Sequence, residues 1–113
     1  MPGKFELSKT RNGQFVFNLK AANGQVILTS HTFASKDAAL TSVESVRQNG
    51  SLDNHFDRKT STGGQPYFSL MTEGGENLGR SEMYSSIAAM EKGIASVKRN
   101  AQAARLIDLS DFF

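Results

Sequence analysis

Hydrophobic and polar residues alternate from Lys4 to Thr10, with Phe5 and Leu7 on one side and Lys4, Glu6 and Ser8 on the other. A period of two predicts a half-buried strand. A second alternating run, Gln14 to Ala21, puts Phe15, Phe17 and Leu19 on one face, and a third runs from Gln25 to Ser30. Asn12-Gly13 and Asn23-Gly24 separate the runs. Asn-Gly pairs supply the positive φ angles of two-residue hairpin turns, so neighbouring strands are expected to be antiparallel. From Ser35 the period lengthens, and Ala39, Leu40, Val43 and Val46 recur at helical spacing. Ser35 reads as the N-cap, and Asp37 in the first turn suits the helix dipole. Asn49-Gly50 is expected to end the helix through a left-handed residue.

The pattern then starts again. Gly13, Gln14, Phe17, Leu19 and Gly24 return fifty-one residues later as Gly64, Gln65, Phe68, Leu70 and Gly75. The same offset pairs Ser30 with Ser81, Ser35 with Ser86, Ala38 with Ala89, Ser45-Val46 with Ser96-Val97, and Asn49 with Asn100, with no gap. This is an internal duplication. In the second copy Ile87, Met90, Ile94 and Val97 form the helical stripe, with Ser85 or Ser86 as cap. Its turns read as looser, with Ser61-Thr62-Gly63-Gly64 and Gly74-Gly75 in place of the Asn-Gly pairs. Pro66 stands where Phe15 stood, a position then expected to need no ladder bond from its own N–H. Ala38, Ser42 and Ser45, like Ala89, Gly93 and Ser96, make a stripe of small residues on each helix. Gly93 costs about 1 kcal/mol in a helix interior, so the two helices are expected to cross closely there, near a pseudo-twofold axis. Phe5, Phe56 and Ile107 share the offset too, so residues 104–110 read as the opening strand of a third copy that goes no further. Whether Phe112 and Phe113 dock behind it is left open by the pattern.

The duplicated hairpins, the openings Phe33-Ala34-Ser35 and Tyr84-Ser85-Ser86, and the endings Ser45-Val46-Arg47-Gln48-Asn49 and Ser96-Val97-Lys98-Arg99-Asn100 resemble the bacterial YegP-like family in its tandem-duplicated form. The resemblance spans about Gly3 to about Asp108. It implies an α+β fold of two β3-α-β motifs in one mainly antiparallel sheet, with their C-terminal strands exchanged. It brings no catalytic residue, cofactor or metal ligand.

The expected architecture is one two-layer domain over residues 1–113, with repeats at about 3–52 and 54–103, a sheet of about seven strands and both helices on one face. Its expected core is Phe5, Leu7, Phe15, Phe17, Leu19, Ile27, Leu40, Val43, Val46, Phe56, Phe68, Leu70, Leu78, Ile87, Met90, Ile94 and Val97. At 113 residues the chain can bury one such core but not two.

Composition narrows the chemistry. The absence of cysteine excludes disulfides and thiolate metal sites and, with charges at Lys4 and Glu6 in place of an apolar leader, points to the cytoplasm. No apolar run approaches the length of a membrane span. Net charge is only +2, and Arg47, Lys98 and Arg99 fall in last helical turns, where cations suit the dipole. His31 and His55 stand opposite Glu82 and Lys4 in the other copy and have no partner at a recognisable spacing. The glycine pairs link strand to strand, whereas a phosphate-cradling loop leads into a helix. No acid–base pair, metal cluster or cofactor motif emerges.

What remains is the sheet face away from the helices. There Val16, Asn18 and Lys20 on one strand and Tyr67, Ser69 and Met71 on another, with Val26 and Leu28 beside them, form a mixed surface. The expectation is a monomeric, non-catalytic binding or scaffold module whose partner is a protein. The alternatives are weak nucleic-acid binding on that face, drawing on Arg11, Lys20, Lys59, Tyr67 and the basic helix ends, and an enzyme with an unrecognised site.

Overall fold

The computed structural model describes residues 3–112. Seven strands form one sheet: β1 (Lys4–Lys9), β2 (Phe15–Lys20), β3 (Val26–Thr29), β4 (Phe56–Thr60), β5 (Pro66–Met71), β6 (Asn77–Arg80) and β7 (Arg105–Asp108). The helices are α1 (Lys36–Asn49) and α2 (Ile87–Asn100). The spatial order is β4-β5-β6-β3-β2-β1-β7, antiparallel throughout except for the outermost pair, where β7 runs parallel to β1. The strand that follows the second helix thus completes the first repeat. β4 both ends the first repeat and opens the second, and its outer edge stays free among the described residues.

The copies meet on a pseudo-twofold axis. In the sheet, Thr29 pairs with Arg80, its own equivalent fifty-one residues on. Above the sheet, Gly50 meets Ala101, again its own equivalent: a Cβ on Gly50 would lie 2.5 Å from that of Ala101 and 2.8 Å from the Val46 carbonyl oxygen. This is why glycine follows α1, and not a left-handed exit, since Gly50 has φ −67°.

Four hairpins share one turn. In each a three-residue loop closes with a glycine at positive φ, at Gly13, Gly24, Gly64 and Gly75, and no other described residue adopts positive φ. Gly13 donates to the Thr10 carbonyl and Thr10 to that of Gln14, and the same two bonds recur at Ala21, Ser61 and Thr72. A type I turn followed by one left-handed residue has this pattern. The expected two-residue Asn-Gly turn, and the expected loosening in the second copy, are both corrected: only the last loop residue needs glycine. Pro66 does forfeit a bond. In the first copy Phe15 and Phe33 exchange two backbone hydrogen bonds, whereas Pro66 only accepts, from the Tyr84 N–H at 2.8 Å.

Ser35 and Ser86 cap the helices, their hydroxyls accepting from the Ala38 and Ala89 N–H groups at 3.1 Å. The recurring Asn49 and Asn100 tie the helix ends to the starts of the equivalent strands β4 and β1. Each donates to the carbonyl four residues back; Asn100 then accepts from the Gly3 N–H at 2.8 Å, and Asn49 bonds His55 Nδ1 at 2.7 Å. Ser30 and Ser81, also repeated, are buried braces that accept from the Phe17 and Phe68 N–H groups at 3.0 Å.

One core lies between the sheet and both helices. Fourteen of the seventeen expected residues are buried in it; Phe15 and Leu40 pack half-buried against it. Ile87 is the exception, at 68% exposed. Its equivalent is Lys36, whose ammonium reaches Asp108 and Asp111 of the tail at 2.9 and 3.3 Å. Among the described residues no tail runs beside β4, so none covers Ile87.

Leu28 departs the other way. Strict alternation puts it on the open face, but a bulge shifts the register between Leu19 and Lys20, so Leu28 pairs with Leu19 and Val26 with Lys20. One extra residue in the strand turns Leu28 into the core. The equivalent bulge leaves Gly79 opposite Leu70. A Cβ there would lie 3.2 Å from Leu28 Cγ and 2.8 Å from the Thr29 carbonyl oxygen, so beside the axis only one copy can carry the side chain.

The small stripe also has a different cause. A Cβ on Gly93 would lie 2.2 Å from the Tyr84 hydroxyl and 3.3 Å from the Phe68 ring. Gly93 therefore makes room for Tyr84, which stacks on Phe68 at 6.3 Å as Phe33 stacks on Phe17 at 6.2 Å. Phe33 lacks the hydroxyl, and the first copy has Ser42 at that place. Phe113 and the ring of Phe112 lie outside the described part of the chain.

Candidate functional site

With both helices on one side, the strand residues that alternate with the core point the other way. Cross-strand pairs define a row over all seven strands: Ile107, Glu6, Asn18, Thr29, Arg80, Ser69 and Asp57. It is nearly symmetric under the duplication, with Thr29 and Arg80 at its centre. Val16 and Lys20 flank Asn18 on β2, and Tyr67 and Met71 flank Ser69 on β5.

All six residues singled out from the sequence thus share one face, in two groups. β2 and β5 are separated by β3 and β6, about 14 Å at ordinary strand spacing. Between them stands Arg80, exposed and without an ion-pair partner among the described residues. The pattern reading overlooked it, although its place as the equivalent of Thr29 was available. Ser69 is 1% exposed and offers little surface. Val16, Tyr67 and Met71 are half-buried and leave apolar area in view.

Most cations here are engaged. Lys20 reaches Glu6 at 2.8 Å and Lys4 reaches it at 3.3 Å; Lys20 first, then Lys4, holds the Glu6 carboxyl below its ordinary pKa against the opposing effect of burial. Lys59 lies 3.7 Å from Asp57, and the Thr29 hydroxyl donates to Asn18 Oδ1 at 2.8 Å. Two of the three bases at the helix ends are occupied as well. Arg47 donates to the Gln102 and Ala104 carbonyls over the Phe5 ring, and Lys98 pairs with Asp53. Arg11 sits apart, in the β1–β2 turn.

His55 is bound to Asn49, and His31 lies against the Phe33 ring at 4.3 Å. Among the described residues no three His, Cys, Asp or Glu side chains gather where they could hold a metal, and no helix is long and apolar enough to cross a membrane.

Comparison with known proteins places this arrangement. A family model described as "Domain of unknown function (DUF1508)" matches residues 11–57 and again 61–108. A UPF0339 protein of Pseudomonas aeruginosa is 46% identical over 110 residues, covering 97% of this chain and all of that one. UPF0339 protein YegP of Escherichia coli is 42% identical over 108 residues, 96% and 98% of the two chains. The solution structure of the E. coli protein, described as of unknown function, superposes with a TM-score of 0.92 at 41% identity, over 97% of this chain and 95% of that one. A UPF0339 protein of Shewanella oneidensis gives 0.91 at 41% identity, over 97% and 93%.

Proposed function

The chain belongs to the DUF1508 family, as a tandem pair of YegP-like repeats, and from that premise we propose that it is a non-catalytic binding module whose working surface is the open sheet face. One observation carries the reading: seven strands have both helices on one side and present half-buried Val16, Tyr67 and Met71 among polar groups on the other. Apolar area ringed by polar residues suits contact with a protein. Most residues that the duplication repeats serve a turn, a cap, a brace or the core, which favours a structural reading of the repeat. The module acts as a monomer in the cytoplasm on this reading.

The nucleic-acid alternative rests on the same face, but Lys4, Lys20 and Lys59 are spent on Glu6 and Asp57, which leaves Arg80 as its free cation, and Tyr67 is its one aromatic stacking platform among the described residues. Stacking binders align several aromatics along a free basic groove. The test is a capture experiment with the wild-type chain and a Val16→Glu/Tyr67→Glu variant as baits, alongside single-stranded oligonucleotides at two salt concentrations. The reading expects a protein retained by the wild type and lost by the variant at equal thermal midpoint. Oligonucleotide affinity that falls steeply with salt, and falls again in the variant, would transfer the face to nucleic acid.

A further inference from the structure

A groove of about 700 Å³ runs between α2 and the β2–β3 turn, on the helix side of the molecule. Ile27, Gly93 and the Tyr84 ring form its floor; Lys92 and Arg99 stand along the helix, Asn23 and Gln25 along the turn. Seven residues separate the two bases, so their Cα atoms lie about 10 Å apart. Among the described residues no carboxylate lines the groove and neither base has an ion-pair partner.

The duplication provides an internal control, because the fold asks the same of both copies. On α1 the equivalents of Lys92 and Arg99 are Thr41 and Gln48; in the β5–β6 turn the equivalents of Ala22 and Gln25 are Glu73 and Glu76. The groove therefore has two bases and no acid where the same positions of the other copy have two acids and no base. Caps, turns and core are shared, so this divergence in charge has no structural duty.

We propose that the groove binds a small organic anion, a carboxylate or a phosphate ester with an apolar or planar body. Its negative groups meet Lys92 and Arg99, and its body lies on the Tyr84 ring. The Tyr84 hydroxyl sits against Gly93, which also lines the groove. Burial first, and Glu82 second, pushes its pKa up, so it stays protonated and able to donate.

The full labelled chain is titrated by NMR with phthalate and, separately, with AMP, each against sodium chloride at matched ionic strength. Saturable shifts are expected at Asn23 to Gln25 and at Lys92 to Arg99. A Lys92→Thr/Arg99→Gln variant carries the residues α1 already tolerates, so its thermal midpoint should hold while both anions bind about tenfold more weakly, as when a charge-assisted bond is lost. Absence of saturable shifts with either anion, or equal affinity in the variant, overturns the proposal. Phosphatidylglycerol vesicles offer the same phosphate on a flat surface, and a recessed groove should leave the chain in the supernatant. Sedimentation that the variant abolishes would assign the two bases to a membrane surface and overturn the proposal as well.

Discussion

At the scale of residues, the two copies agree in what they build and differ in linked pairs. Phe33 stands with Ser42, Tyr84 with Gly93, and the hydroxyl of the tyrosine fills the space that the serine side chain would need. Gly93→Ser alone should cost about 1–3 kcal/mol, the usual range for an overpacked site, in a chemical denaturation series. Adding Tyr84→Phe should recover most of that loss; independent, additive costs would refute the pairing. Leu28 and Gly79 form a second linked pair, but that one was not legible, because a bulge, which no period of two reveals, decides which way Leu28 points. The charge at Asp108 belongs to this scale too. The Ser110 hydroxyl first, then Lys36, holds its pKa at about 2. Since the folded value lies below the unfolded one, its stabilising contribution is complete above about pH 4 and is lost as the pH falls towards 2. The carboxyl is partly exposed, so the effect is modest. Asp108→Asn should flatten the acid limb of the stability curve between pH 4 and 2 and leave the slope near neutrality unchanged.

Elements were easier to read than their neighbours. Strands, helices and caps follow from periodicity and from Ser35 and Ser86, and the offset of Phe5, Phe56 and Ile107 marks β7 as a strand, while its crossover to the edge beside β1 was implied by the resemblance to duplicated YegP-like chains. Ile87 has helical spacing but no cover, because burial at that place depends on a tail that only the first copy has. The contrast extends further: the equivalents of buried Leu7 and of Leu40, which packs against the core, are Arg58 and Glu91, joined by two hydrogen bonds of 2.6 and 3.1 Å, with Asp53 also 3.3 Å from Arg58. Glu91 and Asp53 are both held below their ordinary pKa by these cations, Arg58 acting first on Glu91 and Lys98 first on Asp53. Charges at Asp57, Arg58 and Lys59 guard the free edge of β4 in the manner of other exposed edges, whereas β1 relies on β7. A chain ending at Asn100 loses that strand and the buried Ala101 and Ala104. Its denaturation free energy should drop by several kcal/mol, as for a large apolar cluster. An unchanged midpoint would show the tail to be dispensable.

For the whole molecule, the axis through Thr29–Arg80 and Gly50–Ala101 makes one body from two copies, each too small to bury a core alone. Placing both helices on one side leaves a broad sheet face in water. That face was legible as a face but not as a site: alternation gave Val16, Asn18, Lys20, Tyr67, Ser69 and Met71, while ion pairing, the depth of Ser69 and the central position of Arg80 depend on strand order, which no single strand carries. The most direct measurement is an NMR shift map of the full labelled chain with the protein fraction that it retains from lysate. The account predicts that shifts gather on Val16, Asn18, Lys20, Tyr67, Met71 and Arg80, and that the exposed sides of α1 and α2 stay silent. Shifts confined to the helices, with the sheet face unmoved, would contradict it.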